Sequence, residues 1–389
     1  MNLLFIFITV FVDLLSYGIM LPLLPFFVQA QDGGAMIAGM LSSFYAFTQL
    51  FTGPIIGSLS DRFGRRPVLL ICLCGTALGY LILGLANSLP LLFLAVLIDG
   101  LTGGNLTAVY AYIADVTNAE NRAKGMSLVG AAFGLGLMTG PAIGGFLSQY
   151  GLYVPAFAAC GIALANIVFG FFVLPESLPL EKRINKPISE SFNWIKQFMG
   201  LFQQVNIQKL LISMFLLNLA FAGLQSNFPL YSNYRFQWNP TQNGYFYLYV
   251  GACAVFIQGF LFGKLQPRFG EKRLTVFGLT LMAIGLGFMA FAPQAWILFP
   301  AVAAVALGTG TSIPSLTALV SLRVSESEQG RLMGGTQTLL ALTNIFGPII
   351  AGVSFEALHF SAPYWIGSLF GVLALIVAYL GLQPQTADD

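Results

Sequence analysis

The 389-residue chain alternates long apolar runs with short polar gaps. The runs cover 3–29, 36–60, 67–87, 89–114, 123–149, 151–174, 207–233, 241–263, 272–292, 294–320, 330–354 and 361–382. Each has about 20 residues or more, enough for a helix to cross a hydrocarbon core of about 30 Å. The runs are rich in Gly, Leu and Phe and lack the period-two alternation of barrel strands. The pattern therefore predicts an all-α integral membrane protein with twelve transmembrane helices, here spans one to twelve. The first run has no basic stretch before it and is too long for a signal peptide, so it is expected to be a retained helix.

One polar stretch, 175–206, interrupts the pattern and contains Pro175, Glu176, Pro179, Glu181, Lys182, Arg183, Lys186 and Pro187. It divides the chain into a six-helix half at 1–174, a linker, and a six-helix half at 207–389. Inside it Phe192, Ile195, Phe198, Met199 and Phe202 recur at helical spacing opposite Lys196 and Gln203. That is the signature of an amphipathic helix at the membrane interface, acting as a shielding tether or as a regulatory element. The halves repeat each other. Gly57-Ser-Leu-Ser-Asp61-Arg62-Phe63-Gly64-Arg65-Arg66 follows span two, and Gly263-Lys-Leu-Gln-Pro267-Arg268-Phe269-Gly270-Glu271-Lys272-Arg273 follows span eight, 206 residues later. Gly140-Pro141 and Gly347-Pro348 are 207 residues apart. Two unrelated motifs at nearly one offset indicate a duplicated unit, hence two pseudo-symmetric bundles with a site expected between them near the midplane.

Charge sets the orientation. All but one of the seventeen Lys and Arg residues fall in even-numbered gaps or the linker beside them, Arg235 being the exception. Positive residues remain in cytoplasmic loops, so both termini are expected in the cytoplasm of a cell (inner or plasma) membrane. Charged residues are 8% of the chain, against roughly a quarter in soluble domains. No basic cluster interleaved with aromatics suggests nucleic acid. Cys72, Cys74, Cys160 and Cys253 all lie in apolar runs, and the single histidine, His359, lies in a short gap, so neither a disulfide nor a metal is expected. No cofactor is expected, and no catalytic constellation suggests an enzyme.

Asp13 and Asp99 are the two carboxylates deep inside spans, each about ten residues from its span's start. An unpaired charge there costs several kcal/mol, so each must face a polar cavity, find a partner or take up a proton. They are the candidates for proton coupling. No deep Lys or Arg accompanies them, which favours cationic or neutral substrates over anions. Polar side chains share helix faces with them or line other spans: Tyr17, Tyr45, Gln49, Asn218, Gln225, Tyr249, Gln337 and Asn344. These are the candidate substrate contacts, with helix–helix hydrogen bonding an equal alternative for each.

The Gly57–Arg66 segment resembles the loop between helices two and three of the major facilitator superfamily, and the resemblance extends over the whole chain. Gly136-Leu-Met-Thr-Gly140-Pro141-Ala-Ile-Gly144-Gly145 in span five is similar to the helix-five signature of drug/proton antiporters. Asp13 with Gly18, Pro22 and Pro25 resembles the same subgroup. Ala111-Tyr-Ile-Ala-Asp115-Val-Thr, with Glu120 and Arg122, and Tyr234-Arg235-Phe236 before Trp238 look most like its tetracycline/proton antiporter branch. The chain departs from that branch at Val96, where the branch has arginine, and at Gly79 and Met282, where it has acids. The resemblance implies the fold of that superfamily. It also implies a cytoplasmic gate built on Gly57, Asp61, Arg62, Gly64, Arg65 and Asp115, in which Asp61 meets the start of span eleven and Arg65 pairs with Asp115. Pro267 replaces Asp61 in the second copy, so such a gate is one-sided.

The function expected is proton-coupled export of small lipophilic compounds, cationic or neutral, by a monomer whose partners are its substrate, protons and the lipid bilayer. The alternative is a proton-coupled or facilitative uptake transporter of a sugar or other metabolite.

Overall fold

The computed structural model describes residues 3–183, 199–200, 202–325 and 328–383. Phe192, Ile195 and Phe198 of the expected amphipathic helix lie outside these residues. The described residues contain helices and no strand.

Among the described residues ten stretches are long and apolar enough to cross a membrane. One of them, Pro240–Ala290, has 51 residues, about twice a span, and turns at Gly270, whose φ is 72°. It holds spans eight and nine. Ala35–Phe63 is a further 29-residue helix whose hydropathy is diluted by Gly, Ser and Thr, and it is span two. With these the spans among the described residues number the expected twelve. Many of their large apolar side chains face outward, such as Phe172 at 79% exposure and Phe291 at 77%, as suits a protein whose solvent is lipid.

Two spans are broken where their sequences require it. Span one runs as Leu3–Met20 and Leu24–Gln29. Pro25 stands in the first turn of the second piece, where its missing N–H is harmless, and a turn at Leu21–Leu23 joins the two. Span four runs as Leu89–Thr102 and Asn105–Val116 around Gly103 and Gly104. A Cβ on Gly104 would lie 2.7 Å from the Gly53 Cα, so only glycine permits this approach of spans two and four. The carbonyls near the break find partners: the Thr52 hydroxyl donates to the Gly100 oxygen at 3.0 Å and the Gln49 amide to the Gly103 oxygen at 3.0 Å.

The chain forms two compact units, Met1–Asn193 with Ser232–Gly251, and Trp194–Tyr231 with Ala252–Asp389. In the first, span five (Ala119–Leu147) packs on span one through glycine. A Cβ on Gly140 would meet the Gly18 carbonyl carbon at 2.6 Å, one on Gly136 the Leu14 carbonyl carbon at 2.8 Å, and one on Gly144 the Ile19 oxygen at 2.5 Å. In the second unit spans nine and ten pack the same way, Gly278 against the Gly308 oxygen and Gly308 against the Gly278 oxygen, each at 2.6 Å. Small residues let the backbones touch, and van der Waals contact holds helices together where lipid removes the hydrophobic drive.

Candidate functional site

The break in span four brings the two deep acids together inside the first unit. It places Asn105 at the head of the second piece, and its amide donates to the Asp13 carboxylate at 2.8 Å. The Thr76 hydroxyl of span three hydrogen-bonds Asp99. Gly79, one turn on from Thr76, leaves the room Asp99 needs, since a Cβ at 79 would stand 2.9 Å from the Asp99 Cβ. Both acids are only partly buried. Asp13, Tyr17, Tyr45, Tyr80 and Asp99 lie close enough to interact electrostatically. The Tyr17 and Tyr45 rings stack with centroids 5.8 Å apart, and the Gln49 amide donates to the Tyr45 hydroxyl at 2.9 Å. Spans one and four contain no Lys or Arg. The cluster can therefore exchange protons, hydrogen-bond a polar ligand and stack an aromatic one, and it presents only negative or neutral groups.

Five of the residues singled out from the sequence thus gather in one place: Asp13, Tyr17, Tyr45, Gln49 and Asp99. Tyr249 belongs to the same compact unit. Asn218, Gln225, Gln337 and Asn344 belong to the other. Of these, Asn218 is buried and donates to the Met214 oxygen of its own helix at 2.8 Å, while Gln337 and Asn344 are exposed. Asn105, Thr76 and Tyr80 were not foreseen. An amide or hydroxyl deep in an apolar run was the available signal, and it did not say which acid each would reach.

A second constellation lies where spans two and three meet. Gly64, at φ 107°, ends span two and begins span three (Arg65–Leu85). This turn carries Arg65 inward until only 7% of it is exposed. Its Nη1 pairs with Asp61 Oδ1 at 2.5 Å and donates to the Ser60 hydroxyl at 2.7 Å, while its Nε donates to Asp115 Oδ2 at 3.0 Å. The pairing with Asp115 is the one the resemblance implied. Glu176, beyond span six, reaches back to accept the Arg65 backbone N–H at 2.8 Å, and Ser177 donates to Asp115 at 3.1 Å. Glu176 thus caps the otherwise unsatisfied start of span three. Arg62 and Arg66 do not join the ion pairs among the described residues. Arg62 lies over the Phe63 ring, and Arg66 bonds the Phe171 carbonyl and lies over the Phe171 ring. A Cβ on Gly57 would lie 3.7 Å from the Thr107 Oγ1.

The span-five glycines divide between two partners. Gly136, Gly140 and Gly144 rest on span one, as above. Gly145 and Pro141 rest on the beginning of span eight: a Cβ on Gly145 would lie 2.9 Å from the Gly244 Cα, one on Gly244 2.6 Å from the Pro141 oxygen, and Thr241 donates to the Gly145 oxygen at 2.8 Å.

The sequence matches the Major Facilitator Superfamily over residues 6–270 and 252–388. It is 33% identical over 367 residues to the class C tetracycline resistance protein of Escherichia coli, covering 92% of this chain and 90% of that one. It is 32% identical over 377 residues to multidrug resistance protein 2 of Bacillus subtilis (strain 168), covering 96% and 92%. The crystal structure of the human organic anion transporter MFSD10 superposes with a TM-score of 0.72 at 25% identity, covering 97% of this chain and 98% of that one.

Proposed function

The chain belongs to the Major Facilitator Superfamily of membrane transporters, and on that footing we propose that it is a proton-coupled exporter of small lipophilic compounds, cationic or neutral. The observation that carries this reading is the pair Asp13 and Asp99, set among Tyr17, Tyr45, Gln49 and Asn105 with no basic residue in spans one and four. The tetracycline and multidrug resistance relatives support export of drug-like molecules.

In this reading a carboxylate of the pair holds either a proton or a cationic ligand. Proton entry releases the ligand on one side, and proton departure restores the binding charge on the other. Asn105 and Thr76 orient the two carboxylates and support their charged forms by donating to them. Alternating access is the rocking of the repeats 1–174 and 207–389 about the central substrate site. Span five, held to span one by Gly136, Gly140 and Gly144 and to span eight by Pro141 and Gly145, is the seam along which backbone meets backbone without a gap for protons. Asp61, Arg65 and Asp115, with Gly57, Arg62 and Gly64 around them, bias the gate on the cytoplasmic side. The even-numbered gaps and both termini face the cytoplasm, following the charge bias. The protein acts as a monomer.

The test is proteoliposome flux. Asp13→Asn and Asp99→Asn keep the size of the side chain and remove its titration. A gradient supplies about 1.4 kcal/mol per unit of pH only through a titrating group. Coupled uptake of a lipophilic dye cation into inverted liposomes should be lost in the variant of the carrier residue, with binding of the dye retained. Parent-rate proton flux in both variants would overturn the reading, and so would preference for an anionic dye over the cation.

A further inference from the structure

A cavity of about 320 Å³ opens at one end of the second unit, away from the acids. It is lined by Val205, Asn206, Lys209, Lys272, Arg323 and the chain from Leu380 to Gln383, where the starts of spans seven and nine meet the ends of spans ten and twelve. Its volume falls within the rough range of 300–1,000 Å³ for small-ligand sites. Three of its lining side chains are cationic and none is acidic. Among the described residues no ion pair takes up Lys209, Lys272 or Arg323.

The three cations do different work. Arg323 is spoken for: Nη1 donates to the Asn206 oxygen and Nη2 to the Gly381 oxygen, each at 2.9 Å, tying the end of span twelve to the start of span seven. Lys209 and Lys272 are exposed, with their ammonium groups left for a ligand. Lys209 lies against the end of span twelve, since a Cβ on Gly381 would stand 3.0 Å from the Lys209 Cβ. Apolar lining residues face outward: Val205 is 67% exposed and Leu380 48%. An anion held here would therefore have hydrocarbon beside it.

We propose that this cavity binds the phosphodiester headgroup of an anionic phospholipid, with Lys209 and Lys272 on the phosphate and the acyl chains along Val205 and Leu380. Basic recesses between transmembrane helices suit such headgroups. Charge bias alone would explain lysines at this end of the protein, but not their convergence with a fixed arginine on a cavity whose described lining residues include no acid. The lipid tethers the ends of spans seven, nine, ten and twelve, so its occupancy is coupled to how those spans move.

The test uses the full chain in mild detergent, titrated with phosphatidylglycerol or phosphatidylcholine, with retained lipid read by native mass spectrometry. A lysine placed beside an anionic headgroup contributes about fivefold, so Lys209→Gln with Lys272→Gln should weaken phosphatidylglycerol retention about 25-fold and leave phosphatidylcholine unchanged. Lys264→Gln with Arg268→Gln removes equal charge from the same loop region outside the cavity and should leave the preference intact. Parent-level retention in the cavity variant, or an equal loss in the control variant, overturns the site. Displacement of phosphatidylglycerol by millimolar inorganic phosphate overturns the lipid as its source. These readouts do not involve proton flux, so they stand or fall apart from the exporter reading.

Discussion

The two copies of the repeated loop share a backbone turn and differ in the ion pairs built around it. Gly64 and Gly270 both adopt positive φ, at 107° and 72°, where L side chains are strained. In the first copy the turn buries Arg65 against Asp61, Ser60 and Asp115, and Glu176 closes over it. In the second copy Glu271 occupies the place of Arg65 and Pro267 the place of Asp61. Glu271 accepts a hydrogen bond from Gln266 at 2.8 Å, and a Cβ on Gly270 would meet nothing within 4 Å. Duplication preserved the turn because the chain must reverse between adjacent spans in both halves. The ion-pair network needs particular side chains, and among the described residues it occurs in only the first copy, so the electrostatics are asymmetric although the turn is shared.

The largest expected effect is at Arg65. Arg65→Ala removes one buried guanidinium shared by three acceptors, and hydrogen bonds to charged groups contribute roughly 1.5–3 kcal/mol each without adding up. A loss of about 3 kcal/mol in thermal unfolding of the full chain in detergent is expected, with slowed transport and retained substrate binding. Glu271→Ala, its counterpart, should leave the melting temperature unchanged. Equal losses would erase the asymmetry.

Next come the glycines. Gly64→Ala combines backbone strain with collision, its Cβ meeting the Glu176 Oε2 and the Arg183 Nη2, the latter at 2.8 Å. A cost of about 2–3 kcal/mol is expected, against about 1 kcal/mol for Gly270→Ala, where only strain acts. Parallel melting curves of the two variants decide it, and a larger loss at Gly270 would place the tighter turn in the second copy.

Glu176→Ala removes the cap on the Arg65 and Leu178 N–H groups, bonded at 2.8 and 3.0 Å. Loss of a helix cap costs about 1 kcal/mol. Hydrogen exchange at the start of span three should quicken, while the corresponding amides after Gly270 should not change. The smallest effect is a transplant. Pro267→Asp with Glu271→Arg recreates the first copy's pair in the second, and because that loop is exposed the melting temperature should rise far less than Arg65→Ala lowers it.

Much of the scaffold was readable in advance. The spans and their duplication follow from run length and motif spacing, but span one reads as a single run and its break was missed, although Pro22 and Pro25 stand at it. The break in span four was missed, because Gly103-Gly104 inside an apolar run reads equally as a packing surface. The candidate site was half legible. Asp13, Asp99, Tyr17, Tyr45 and Gln49 stood out as polar groups in apolar spans and do gather, whereas Asn218 turned out to bond its own helix and Gln337 and Asn344 to be exposed. Glu176 looked like ordinary linker, since nothing local reveals that it reaches 111 residues back to Arg65.

Hydropathy and charge alone settle that this chain spans a membrane, how many times and which gaps carry the positive residues, because lipid and water sort side chains one at a time. Partners are a different matter. That Asn105 meets Asp13, that Gly79 makes room for Asp99, and that the span-five glycines face span one and span eight depend on contacts between distant segments at van der Waals distance. A shift of one helix by a single residue would rearrange all of them without changing the apolar pattern, so only the packed tertiary structure could decide them.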